Sequence, residues 1–107
     1  MGRVADIIKS EDRARVVRAL ANPTRLLIVE ALRDGEANVS TLTALTKFDV
    51  STVSKHLAVL KGVGLVAAER RGLNIFYSLA CPCLTDFFAC VDRINSSQSG
   101  RLTRKAG

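Results

Sequence analysis

Tryptophan is absent from this chain, histidine and tyrosine occur once each, and aromatic residues make up only 5% of the 107 positions. A single histidine rules out a metal centre built on several imidazoles. No Ser/His/Asp set, no carboxylate pair flanked by ligands and no phosphate-cradling glycine loop is visible, so an enzyme is not expected. Cysteine is scarce and odd in number, three in all, which argues against a disulfide scaffold. No apolar run approaches the roughly 18 residues that a membrane span needs. Met1-Gly2-Arg3 leads into charged residues within ten positions, with no secretory apolar region, so a reducing cytosol is the expected setting.

What is present is aliphatic and basic. The hydrophobic fraction of 48%, carried by Leu, Val and Ala, suits a single helical domain. A domain of this size buries a modest share of its surface, so a second copy is expected to complete its apolar faces. Lysine and arginine number 16 against 10 acids, a formal charge of +6, which favours a polyanionic partner without proving one.

Residues 1–10 read as a short amphipathic lead, followed by a helix over residues 11–21 with Ala14, Val17, Leu20 and Ala21 on one stripe. Asn22-Pro23 ends it, because the residue before proline avoids the α region. A second helix is predicted over residues 24–34, with Leu26, Val29 and Leu32 inward and Gly35 as its cap. A short third helix, residues 40–46, would turn Leu42 and Leu45 inward. After Lys47-Phe48, Asp49 is a good N-cap for a fourth helix to about Lys61, with Val53, Leu57 and Leu60 facing the core. Gly62 and Gly64 break it. Residues 65–70 and 73–79 are predicted strands around Arg71-Gly72, a hairpin with a basic tip. Pro82 opens a last helix, Cys83 to about Asn95, with Leu84, Phe87, Phe88, Val91 and Ile94 at helical period. Residues 1–95 are thus predicted to form one domain, and residues 96–107 a basic tail predicted to be disordered.

Helix, tight turn, helix, glycine break and basic hairpin in this order describe a winged helix-turn-helix, mainly α with a small β-hairpin. Its second helix is long enough to enter the major groove of double-stranded operator DNA. Ser51, Thr52, Ser54, Lys55 and His56 form its outward face, and Arg70, Arg71 and Asn74 stand at the hairpin tip within reach of a neighbouring backbone or minor groove. A lone histidine there reads as a DNA contact or a solvated residue rather than a metal ligand. On its own such a face is more often merely solvated; the order of the elements reverses that balance.

The strings Asn22-Pro23-Thr24-Arg25-Leu26-Leu27-Ile28, Ser51-Thr52-Val53-Ser54-Lys55-His56-Leu57-Ala58-Val59-Leu60, Gly64-Leu65-Val66 and Phe76-Tyr77-Ser78-Leu79 resemble the ArsR/SmtB family of metal-sensing repressors over roughly residues 12–95. The resemblance implies a homodimeric repressor, dimerised through its terminal helices, that an inducer releases from its operator. Val50 stands where many members carry a polar residue. The Cys-Val-Cys of the family's arsenic sensors is replaced here by Asn38-Val39-Ser40, and the histidine-rich zinc site of the last helix is missing.

Cys81-Pro82-Cys83 and Cys90 remain. Two thiolates two positions apart can reach one soft ion, and a helix N-terminus is expected to lower the Cys83 thiol pKa. Seven helical residues separate Cys83 from Cys90 by about 10.5 Å, whereas two sulfurs on one ion lie within about 4.6 Å. Antiparallel packing of the last helices across a twofold axis would bring Cys90 of one subunit to Cys81 and Cys83 of its partner. Three thiolates suit As(III) or Sb(III), with Cd(II), Zn(II), Pb(II) and Hg(II) as alternatives. The arrangement also resembles a subset of the family that senses arsenic or antimony at the C-terminal helix. Three other readings stay open: inert core cysteines on the side shared with Phe87 and Ile94, a thiol redox or sulfur-species switch, and a module binding DNA without sequence preference.

Overall fold

The computed structural model describes residues 3–97. They form α1 (Arg3–Leu20), α2 (Pro23–Ala31), β1 (Ala37–Asn38), α3 (Val39–Thr46), α4 (Val50–Gly62), β2 (Val66–Arg71), β3 (Asn74–Leu79) and α5 (Leu84–Ser97). The lead and first helix of the sequence reading are one continuous helix, α1. Asn22 separates it from α2 as predicted: its Oδ1 accepts from the backbone N–H of Thr24 at 2.9 Å and of Arg25 at 3.1 Å. Pro23 then occupies the first turn, where a missing N–H leaves nothing unpaired.

Each helix of the helix-turn-helix pair has its own cap. Asn38 accepts from Thr41 N–H at 2.8 Å to start α3, and Asp49 accepts from Thr52 N–H at 2.8 Å to start α4. Between them the chain turns at Lys47, a non-glycine residue at φ 68°, whose N–H bonds the Thr43 carbonyl. The one buried polar side chain among the described residues, Thr46, donates to the Leu42 carbonyl at 2.7 Å and so is satisfied.

Val53, Leu57 and Leu60 of α4 meet Ile28, Val29 and Leu32 from α2, Leu42 from α3, and Leu65, Val66 and Leu79 from the sheet. The sheet has three antiparallel strands in the order β1-β3-β2. Strand β1 was not predicted; at two residues it is too short to show an alternating pattern, and it exists because Ala37 and Asn38 pair with Tyr77 and Phe76. The hairpin closes with Arg71 opposite Asn74, so Gly72-Leu73 is a two-residue turn with Gly72 at φ 63°.

Several expected faces differ. Leu26 and Leu45, assigned inward, are exposed, the latter at 59%, because α2 buries the adjacent Ile28 and Val29 and α3 buries Leu42 and Thr46. Helix α2 also stops three residues early, in a turn where Leu32 N–H bonds the Ile28 and Val29 carbonyls. Helix α5 begins at Leu84 rather than Cys83 and continues through Ser97, so residues 96 and 97 of the predicted tail are helical; the remainder, residues 98–107, lies outside the described residues.

Helix α5 buries no residue fully. Leu84 and Phe88 lean on the core, while Phe87, Val91 and Ile94 stay exposed. With Val17 of α1 and Leu26 and Leu27 of α2, the exposed α5 side chains Phe87 and Val91 line an apolar groove of about 640 Å³. The architecture is a winged helix-turn-helix whose outer helices leave an apolar face uncovered within one chain.

Candidate DNA interface and thiol site

Alternation around α4 follows from its three buried residues at positions 53, 57 and 60. Ser51, Ser54 and Lys55 are exposed, and Thr52 and His56 are half-buried. Val50 is exposed at the first turn. The start of this helix is less open to an anion than the sequence implies, since the Asp49 carboxylate already takes the Thr52 N–H. Hydrogen bonds from Thr52, backbone then side chain, and from Ser51 hold Asp49 below the ordinary carboxylate value. His56 turns its Nδ1 edge toward α2, where it accepts from Arg25 Nε at 3.1 Å. Burial first, then the positive charges of Arg25 and Lys55, hold its pKa below the ordinary imidazole value, favouring the neutral ring.

At the wing, Arg70, Arg71 and Asn74 are all exposed, but the two arginines differ. Among the described residues the Arg70 side chain makes one hydrogen bond, from Nη1 to the Gly72 carbonyl at 3.3 Å. Arg71 is engaged on three sides. Its Nη2 donates to Glu36 at 2.9 Å and to Glu69 at 2.7 Å, its Nη1 also pairs with Glu36, and its guanidinium lies 4.9 Å from the Phe76 ring centre. These bonds hold Glu36 below the ordinary carboxylate value and raise Arg71 further. Glu69 and Arg71 lie two apart on one strand, hence on one face, a pairing legible in sequence; Glu36 arrives through β1 and was not. Asn74 and Ser54 line a common groove of about 300 Å³ with Asn38, Ser40 and Tyr77.

Cys81 and Cys83 lie in the turn between β3 and α5, with their Sγ atoms 2.9 Å apart. Leu84 N–H bonds the Cys81 carbonyl and Asp86 N–H the Cys83 carbonyl, both at 2.9 Å, so the turn around Pro82 is fixed by its own backbone. The expectation that the helix end lowers the Cys83 thiol is reversed. Cys83 precedes the helix and its pKa is raised, chiefly by the hydrogen bond and charge of Cys81, then by burial and by the negative charge of Asp86. All three cysteines are exposed, so none is a core filler within one chain. Among the described residues no three His, Cys, Asp or Glu side chains of one protomer converge on a metal-sized point. Cys90, on the second turn of α5, stands apart from the pair.

This arrangement of helices and wing matches known proteins. The sequence model described as "Bacterial regulatory protein, arsR family" matches residues 22–68, which run from the α2 cap into β2. A relative from Mycobacterium tuberculosis, the HTH-type transcriptional regulator Rv0324, is 40% identical over 78 residues, covering 73% of this chain and 34% of the relative. The chain spans between a third and somewhat over half the length of the first curated relatives it matches. Among solved structures, the homodimeric winged helix-turn-helix DNA-binding domain of Mb0332 from Mycobacterium bovis, a possible ArsR-family regulator, superposes with a TM-score of 0.74 at 33% identity. The match covers 94% of this chain and 92% of that one. The transcriptional repressor BigR from Xylella fastidiosa superposes with a TM-score of 0.73 at 28% identity, covering 88% and 96%. The chain belongs to the ArsR family of bacterial regulatory proteins, whose members are regulators of transcription and not enzymes. No helix among the described residues is long and apolar enough to cross a membrane.

Proposed function

We propose that this protein is a homodimeric, cytosolic DNA-binding repressor that leaves its operator when a thiophilic metal or metalloid binds Cys81, Cys83 and Cys90. The observation that carries the inducer site is the 2.9 Å approach of the Cys81 and Cys83 sulfurs in an exposed, backbone-fixed turn. Two thiolates so placed fall within the roughly 4.6 Å that a single ion allows. Cys90 of the same chain lies six residues, about 9 Å, beyond the start of α5, so the third thiolate comes from the partner subunit. An all-sulfur set without imidazole or carboxylate suits As(III) or Sb(III) first, then Hg(II), Cd(II), Pb(II) and Zn(II).

Dimerisation is supported by the apolar groove between α1, α2 and α5 and by the homodimeric state of the Mb0332 domain. In DNA recognition, Ser51, Thr52, Ser54, Lys55 and His56 of α4 face the major groove, with Val50 offering an apolar contact to a thymine methyl. Arg70 and Asn74 reach the backbone beside the wing, and Arg71 does so only by leaving Glu36 and Glu69. Two recognition helices must sit about 34 Å apart to meet successive major grooves. Ligand held between the two α5 helices favours a different spacing, and operator affinity falls by the ligand's preference for that state. Binding expels the thiol protons, so with Cys83 raised, affinity for the inducer weakens as pH falls. Operator-bound Cys83→Ser protein should stay bound when As(III) or Sb(III) is added; release equal to wild type would remove the assignment.

The same sulfur pair supports a second reading, an oxidative switch. Two thiols and a hydroperoxide would give a disulfide, an alcohol and water, the peroxide taking the two electrons and both protons; a link from Cys90 to the sulfur pair across the dimer avoids the small strained ring of a Cys81–Cys83 bond. Mass analysis without reductant after peroxide treatment, set beside a metal titration, separates the two.

A further inference from the structure

The Asn22-Pro23-Thr24-Arg25 segment places one guanidinium at the meeting of three helices. The Asn22 cap fixes the Arg25 backbone at the first turn of α2. From there Arg25 Nη1 donates to the Ala19 carbonyl in the last turn of α1 at 3.0 Å, and Nε donates to His56 Nδ1 on α4 at 3.1 Å. The Ala19 carbonyl is one of the four that a helix end leaves without an intrahelical partner. Arg25 thereby joins the helix that borders the dimer groove to the helix that faces DNA.

The direction of the second bond has a chemical consequence. An arginine Nε is always a donor, so His56 Nδ1 must be the unprotonated nitrogen and the ring proton sits on Nε2. Among the described residues nothing in the chain bonds Nε2. We propose that Arg25 is a positioning residue for DNA recognition, fixing His56 as a neutral ring that presents Nε2–H as a hydrogen-bond donor on the recognition helix. His56 then reads an acceptor, a base edge or phosphate oxygen, rather than contributing a positive charge. Because Arg25 also grips α1, a shift of α1 against α2 moves or releases that donor. This rests on the reading of α4 as the DNA-reading helix.

Ring-nitrogen chemical shifts of the ¹⁵N-labelled full chain test the assignment before any DNA is added. In the wild type, Nδ1 should appear unprotonated and Nε2 protonated; in Arg25→Lys both tautomers should be populated. His56→Asn keeps an acceptor near the Nδ1 position and has no donor at the Nε2 position, so at pH 7.5 it should keep wild-type thermal stability. Arg25→Lys and His56→Asn should each weaken operator binding about tenfold, the scale of one lost hydrogen bond. Both should leave the slope of affinity against salt unchanged, since no phosphate charge is lost. A protonated Nδ1 in the wild type, or an Arg25→Lys protein with unaltered tautomer and affinity, overturns the proposal. Wild-type protein that prefers no operator over random duplex defeats the DNA reading instead, and the ring shifts still decide whether Arg25 sets the tautomer.

Discussion

Arg71, at the tip of the wing, is paired through both its terminal nitrogens with Glu36, thirty-five positions earlier on the segment leading into β1. With Glu69 as a further partner, two carboxylates surround one guanidinium, while Arg70 beside it has none among the described residues. The two neighbouring arginines therefore differ in how far carboxylates of this chain already neutralise them. Removing a phosphate contact lowers the slope of log affinity against log salt by about one unit. Arg70→Ala should show that reduction, whereas Arg71→Ala should leave the slope close to wild type and Glu36→Gln should steepen it. Anisotropy titrations of operator DNA across a salt series give all three values; equal losses from the two arginines would contradict the assignment.

The lowered pKa of His56 sets a pH window for stability. Its folded value lies below the ordinary 6.5, so as pH falls through 6.5 the unfolded chain takes the proton first. The stabilisation is therefore present above that value and is lost as pH falls toward the folded pKa. Thermal midpoints between pH 7.5 and 5 should drop more steeply for the wild type than for His56→Asn. Glu36 and Asp49, also lowered, act in a separate, more acid window beneath 4.5 and 3.8. Parallel profiles for wild type and variant would remove His56 as the cause.

Two leucines that read alike in sequence should respond oppositely to truncation. Leu57 is 1% exposed in the centre of the core, and Leu45 is largely exposed on α3. Leu57→Ala should lose about 2–5 kcal/mol, and Leu45→Ala should stay within about 0.5 kcal/mol. Denaturant unfolding at one fixed protein concentration compares them, which holds constant the contribution of the proposed dimer.

The fold was legible where a local rule acts alone. Asn22 and Asp49 cap their helices, and Val53, Leu57 and Leu60 are buried, each as capping chemistry and a 3.6-residue period require. Where two apolar residues adjoin, period alone does not choose between them, and Leu26 was assigned inward in a helix that buries Ile28 and Val29. Strand β1 and the Glu36–Arg71 pair depend on contacts between distant segments and leave no periodic trace. At the thiol site, the Cys81 and Cys83 sulfurs lie 2.9 Å apart, the proximity that the Cys-Pro-Cys spacing allows. The sign of the Cys83 shift was missed because the neighbouring thiol outweighs the helix end.

The uncovered face of α5 leads to a test of assembly. Phe87 is 48% exposed and Val91 36%, both at the apolar groove. A charge at either position would be desolvated in a dimer and solvated in a monomer. Val91→Glu should sediment as a monomer, keep its helical circular dichroism, and lose most of its operator affinity. A Val91→Glu protein that remains dimeric would place the interface elsewhere.

The central claim, that three thiols govern release from DNA, is tested most directly by titrating operator-bound protein with As(III) and Sb(III) while following the DNA by anisotropy. Wild-type protein should dissociate, and Cys81→Ser, Cys83→Ser and Cys90→Ser should each bind the operator as wild type does yet stay bound throughout the titration. Release of a variant lacking all three cysteines, or wild-type protein that takes up the metalloid and stays on its operator, would contradict it.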